Sequence, residues 1–168
     1  LRSDTAGGSM TELASYPLLA IIKLLGNDFE EVDFFSYIDE ERDVDLFTKF
    51  NIKYKDAIAS GKVGLGVKSE GDLIISGTKG YIYVPSPWWK TEYFEIRYEN
   101  FSKNKKHYYK FEGDGLRYEL AEFVSMIHKS NYQTYKLLPN ESIVINSIIE
   151  KYMNGDNVKK IKSNLMTS

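Results

Sequence analysis

The 168-residue chain has no cysteine. That excludes disulfides, thiol catalysis and every cysteine-based metal site. Histidine is scarce: only His107 and His128 occur, so a multi-histidine centre is excluded as well. Charge of one sign is not in excess. Lys and Arg number 22 against 24 Asp and Glu, a net charge of −2. A protein that grips a phosphate backbone normally carries a basic surplus, so no nucleic-acid partner is expected. Long hydrophobic runs are missing too. The longest, residues 17–25, is broken by Lys23 and falls short of the ~20 residues a membrane span requires. No charged stretch leads into an apolar one at the start, so no secretory leader and no membrane partner are expected, and a cytoplasmic location is. The chain does not begin with Met and reads as a part of something longer.

What is abundant is aromatic. Thirteen Tyr and nine Phe favour pleated, half-buried surfaces. The segment Gly7-Gly8-Ser9-Met10-Thr11-Glu12 reads as a loop running into a helix, with Ser9 and Glu12 at capping-box spacing. Leu13, Pro17, Ala20, Ile21, Leu24 and Leu25 then recur at helical spacing, and Gly26 ends the run. Pro17 removes an amide donor and predicts a bend in the turn before it.

From residue 28 to 111 the period changes to that of strands. Candidates lie at 29–38, 44–54, 62–67, 72–76, 81–84, 91–98 and 107–111, with a hairpin turn at Gly77-Thr78-Lys79-Gly80. Helical spacing returns at Leu116, Leu120, Phe123, Val124 and Ile127. It returns again at Ile143, Val144, Ile148, Ile149 and Tyr152, after a cap at Asn140. Strands grouped between helices indicate α+β: a largely antiparallel or mixed sheet of about six strands, helices on one face, and an open aromatic face covered by a second subunit, which makes an oligomer, or by another domain. Residues 1–155 are expected to form this domain, and 156–168 a polar, frayed tail.

Several residues invite a chemical reading beside a structural one. Gly61, Gly64 and Gly66 lack the G-x-G-x-x-G spacing and are read as a bulge or turn, so this chain shows no dinucleotide loop of its own. Glu12 and Tyr16 stand four apart, on one helix face. A carboxylate there can orient a phenol that moves a proton to or from a substrate oxygen, or the two can simply cap and pack. Trp88 and Trp89 follow two prolines. They can stack on a sugar or anchor a partner, or one indole can pin the loop to the core. Arg117 lies in the first turn of its helix, where the dipole disfavours a cation, so a specific acceptor such as Asp114 or a ligand carboxylate is expected. His128 suits a helix end, and His107 a solvated basic turn.

The string Ala6-Gly7-Gly8-Ser9-Met10-Thr11-Glu12-Leu13-Ala14-Ser15-Tyr16-Pro17-Leu18 resembles a segment of the glucose–fructose oxidoreductase / inositol dehydrogenase / rhizopine-catabolism (Gfo/Idh/MocA) family. There, Gly-Gly is followed by two or three mostly apolar residues, Asp-Ile-Gly, one residue, and Tyr or His. Arg2 and Asp4 look like the stretch before it. Gly77-Thr78-Lys79-Gly80 with its following strand is similar to the family's central hairpin, and Phe111-Glu112-Gly113-Asp114-Gly115-Leu116-Arg117-Tyr118-Glu119 to the start of its late helix.

The resemblance implies the C-terminal domain of an NAD(P)-dependent oxidoreductase acting on a sugar, polyol or nucleotide-sugar. NAD or NADP would be bound mainly by an N-terminal Rossmann domain absent from this chain. The open sheet would make a homodimer or tetramer. It places Tyr16 at the family's acid–base position and Glu12 at the supporting Asp, with Arg2, Trp88, Trp89 and Arg117 toward substrate. Glu12 for Asp and Ala14 for Gly depart from the pattern. A tyrosine in water ionises near ~10, so acting as a base at neutral pH requires a neighbouring cation. The family's lysine for that purpose lies upstream, so this chain alone is expected to be inactive. The rival readings are a non-catalytic dimerising module and a carbohydrate-binding domain using Trp88 and Trp89.

Overall fold

The computed structural model describes residues 7–128, 134 and 136–163. The chain is α+β and divides into two compact units, Leu1–Lys68 with Tyr135–Ser168, and Ser69–Thr134.

The first unit opens with α1 (Ser9–Leu13) and α2 (Ser15–Leu25). Pro17 has no amide to offer the carbonyl of Leu13, and the helix breaks at Ala14, in the turn before the proline. The flanking bonds survive: Ala14 N–H reaches Met10 O at 3.2 Å and Leu18 N–H reaches Ala14 O at 3.0 Å. The buried stripe is Met10, Ala14, Leu18, Ile21 and Ile22, whereas Leu24 and Leu25 of the expected stripe are exposed.

Strands β1 (Glu31–Asp39), β2 (Val44–Lys53) and β3 (Ile58–Gly64) form an antiparallel meander. On β1, Val32, Phe34, Ser36 and Ile38 point inward by the two-residue period. α4 (Pro139–Met153) lays Ile145 and Ile148 on the same core and sets Tyr152 edge-on to Phe34, ring centroids 5.2 Å apart. The helices of this unit share one core with the inner side of the sheet.

β8 (Val158–Ser163) then joins the sheet parallel to β1, Phe34 opposite Val158 and Tyr37 opposite Ile161, giving the order β3-β2-β1-β8. The expected frayed tail is therefore a strand up to Ser163. The backbone hydrogen bonds of an open β1 edge outweigh the polarity of the strand's lysines, of which Lys159 and Lys160 are exposed. Lys159 stacks over the Phe35 ring at 4.8 Å.

The glycines read as a bulge or turn belong in part to β3. A Cβ on Gly61 would occupy the space of the Phe50 ring, and one on Gly64 that of Phe47. The cap expected from Asn140 is also displaced. Pro139 begins α4, and Glu141 reaches back to the amide of Leu138 at 2.7 Å. Lys23 of α2 meets the same carboxylate at 2.7 Å.

The second unit is an antiparallel sheet of β4 (Leu73–Gly77), β5 (Gly80–Val84), β6 (Tyr93–Tyr98) and β7 (Lys105–Tyr108), in chain order, followed by α3 (Leu116–His128). Among the described residues, eight strands in two sheets of four thus stand where about six in one were expected. One face carries Tyr81, Tyr83, Tyr93, Glu95, Arg97 and Lys106 in register. Arg97 lies over Tyr83 at 4.5 Å and pairs with Glu95 at 2.6 Å. The apolar stripe of α3 does not form a core: Leu116, Leu120, Phe123 and Ile127 are all more than half exposed.

Candidate functional site

The Gly-Gly-Ser lead-in turns into α1 against β2. Gly8 has φ 148°, and a Cβ there would press into Asp45 Oδ1. The Ser9–Glu12 capping box does not form. Ser9 Oγ instead donates to Asp45 O at 2.9 Å and accepts the amide of Leu65 at 3.0 Å, while Glu12 points to solvent. The cap comes from 35 residues away: Asp45 Oδ2 accepts the amide of Met10 at 2.9 Å. Thr48 Oγ1 donates to the same oxygen at 2.6 Å, and Ser36 Oγ lies 2.8 Å from Thr48 Oγ1. Burial pushes the Asp45 carboxyl above the usual aspartate value, against the pull of Thr48 and the Met10 amide. Burial likewise raises the Tyr152 phenol, against the pull of Ser36 and Thr48.

Sequence reasoning missed this network. Its signal was there: Ser36 and Thr48 sit at inward positions of strands whose other inward residues are Val32, Phe34, Phe50 and Ile52.

Tyr16, in the first turn of α2, is 61% exposed. The break at Ala14 puts Glu12 and Tyr16 on different helices. Both side chains face solvent, from a junction whose inner side is clamped by Asp45. A phenol so placed can exchange a proton with a ligand oxygen brought to it.

Arg2 lies outside the described residues. Trp88, Trp89 and Arg117 belong to the second unit. Trp88–Lys90 is a 3-10 turn, the two indoles are edge-to-face at 6.2 Å, and Trp89 is 55% exposed. Arg117 finds Glu112, not Asp114: Nη1 lies 3.3 Å from the Glu112 carbonyl and 3.6 Å from its carboxylate. Asp114 pairs with Lys90 at 2.7 Å. His107 is not in a turn but on β7, stacked on Phe94 at 4.9 Å. His128 closes α3.

The residues here do not fit a dinucleotide: Phe50, Phe47 and Leu46 fill the space beside Gly61, Gly64 and Gly66 that a phosphate cradle would keep open. Among the described residues no group of three or more His, Asp or Glu is placed to hold a metal, and no helix is long and apolar enough to cross a membrane.

The fold is that of a set of oxidoreductase structures. KijD10, a 3-ketoreductase from Actinomadura kijaniata, in complex with TDP-benzene and NADP in an open conformation, superposes with a TM-score of 0.77 at 14% identity. The alignment covers 94% of this chain and 49% of that one. A protein from Desulfitobacterium hafniense, provisionally assigned as an NADPH-dependent oxidoreductase, matches at TM-score 0.60 and 16% identity, over 88% of this chain and 46% of that one. A provisionally assigned oxidoreductase from Klebsiella pneumoniae matches at 0.60 and 13%, over 88% and 47%. The chain spans about half the length of these structures, and at such identities the likeness is one of fold. No family model matches the chain, and no curated protein does.

Proposed function

We propose that the chain is the substrate-side and oligomerisation part of an NAD(P)-dependent oxidoreductase acting on a sugar, polyol or nucleotide-sugar. The observation that carries this reading is Tyr16, an exposed phenol beside a helix break that a buried carboxylate clamps from behind. The fold likeness to a ketoreductase with NADP and a TDP compound bound supports it. So does the resemblance of residues 6–18 to the Gfo/Idh/MocA pattern.

In this reading the dinucleotide is held mainly by a Rossmann domain outside this chain, and it supplies or takes the hydride. Tyr16 holds the proton of the substrate hydroxyl, and Glu12 is the carboxylate proposed to support it. Residues up to 155, extended by β8, make the domain. Arg2, Trp88, Trp89 and Arg117 are its proposed substrate contacts, with Arg117 steadied by Glu112. A second reading rests on the exposed Trp89, whose indole face suits a sugar ring in a carbohydrate-binding module.

Steady-state kinetics on the complete parent enzyme with Tyr16→Phe test the proposal. Loss of a general acid–base group lowers kcat about 100-fold or more with the fold intact. An unchanged kcat removes Tyr16 from the chemistry.

A further inference from the structure

Glu12 and Tyr16 stand four residues apart, but the break at Ala14 lies between them. In one unbroken helix that spacing alone would hold a carboxylate and a phenol side by side. Here the two sides of the joint need separate anchors. Tyr16 travels with α2, which Leu18 and Ile22 fix in the core. Glu12 travels with α1, whose five residues cannot hold a helix by themselves in water.

Met10 and Ala14 seat α1 on the core, and a polar anchor fixes its direction. The Met10 amide donates to Asp45 Oδ2 at 2.9 Å, and Ser9 Oγ donates to Asp45 O at 2.9 Å. The same Ser9 oxygen accepts the Leu65 amide at 3.0 Å, so α1 is pinned both to the start of β2 and to the segment after β3. Asp45 is itself held. Its Oδ2 also accepts the Thr48 hydroxyl at 2.6 Å, Thr48 Oγ1 lies 2.8 Å from Ser36 Oγ, and all three residues are buried. Its Oδ1 occupies the space beside Gly8 that a Cβ would need. On the other side of the joint, Met10 O accepts the Ala14 amide at 3.2 Å. The residue that Asp45 grips is therefore the one from which the joint hangs.

We infer that Asp45 is a positioning residue for the proposed proton transfer. Through the Met10 amide it sets the angle of α1 to α2, and with it the place of Glu12 relative to Tyr16. This rests on the roles proposed for Glu12 and Tyr16, and the experiment separates the two claims.

The angle between Ser9–Leu13 and Ser15–Leu25 is read from residual dipolar couplings of the 168-residue chain, and kcat and KM from the complete parent enzyme. Asp45→Ala leaves the Met10 amide without its acceptor and shifts the couplings of α1 against those of α2. It lowers kcat about tenfold or more with KM little changed, the cost of a misplaced group. Asp45→Asn keeps an oxygen for that amide and restores both the couplings and kcat. If Asp45→Ala loses spectral dispersion, Asp45→Ser is read in its place. Tyr16→Phe in the same enzyme tells the claims apart. If it keeps kcat, the proposed function falls and the couplings alone decide the positioning. If it loses kcat while the folded Ala or Ser variant of Asp45 keeps either kcat or the helix angle, the inference is overturned and the function stands. The inference is equally overturned if Asp45→Asn lowers kcat as far as Asp45→Ala does.

Discussion

Gly8 and Asp45 show how much one contact decides at the residue scale. A methyl on Gly8 meets Asp45 Oδ1, and φ 148° is already a region that side chains rarely enter. Gly8→Ala is expected to cost about 2 kcal/mol or more in urea unfolding, through backbone strain and crowding together. Asp45 makes a pH signature. Its carboxyl is held above the unfolded value by burial, so the folded state binds that proton more tightly than the unfolded one. The stability tied to it is therefore full below the ordinary aspartate range and is lost as pH rises through the raised folded value. Asp45→Asn has no such proton. In denaturation curves at pH 4 and pH 7, the Asn variant should gain on the parent as pH rises, and a difference independent of pH would contradict the assignment. Spacing within a helix could not have shown this cap, because acceptor and amide lie 35 residues apart.

The four α-helices of the described residues divide at the element scale. α4 is amphipathic in the ordinary sense: Ile148 is fully buried between the sheet and the other helices of its unit. Ile148→Ala is expected to cost about 2–5 kcal/mol, by transfer and cavity together. α3 has as clear a stripe in sequence, yet Leu120 and Phe123 are 53% and 60% exposed. Leu120→Ser should therefore change unfolding free energy by no more than about 0.5 kcal/mol. Chemical denaturation of the two variants side by side checks the contrast. Periodicity made both helices legible, since it reports the amphipathic rod. It does not report whether a neighbour covers the stripe. The same limit applies to Arg117: its unfavourable helix position pointed to an acceptor, and one exists, but Glu112 takes the place imagined for Asp114.

For the molecule as a whole, the α+β order and seven of the eight strands could be read from alternation and turn residues. The hairpin at Gly77–Gly80 was clear because both strands are local. The division into two sheets was not, because strand pairing depends on contacts that no sequence window contains. β8 was hidden for a related reason. Its lysines spell a solvated tail until β1 offers it a hydrogen-bonding edge. At this scale the proposed oligomer is also to be tested. Light scattering should give a dimer or tetramer, with the tyrosine-rich sheet faces as the surfaces to cover. A strict monomer at high concentration would contradict it, and dehydrogenase turnover by residues 1–168 alone would contradict the proposed division of labour.

The parallel pairing of β8 with β1 sets an order of events during synthesis. Phe34 leaves the ribosome before Val158, and the whole second unit is translated between them. Until Val158 and the residues after it emerge, the nascent chain holds a three-stranded sheet whose β1 margin is bare. The first unit therefore closes only after the second has been made, and a chain cut before Val158 is left with an exposed β1 edge free to recruit a neighbour's strand.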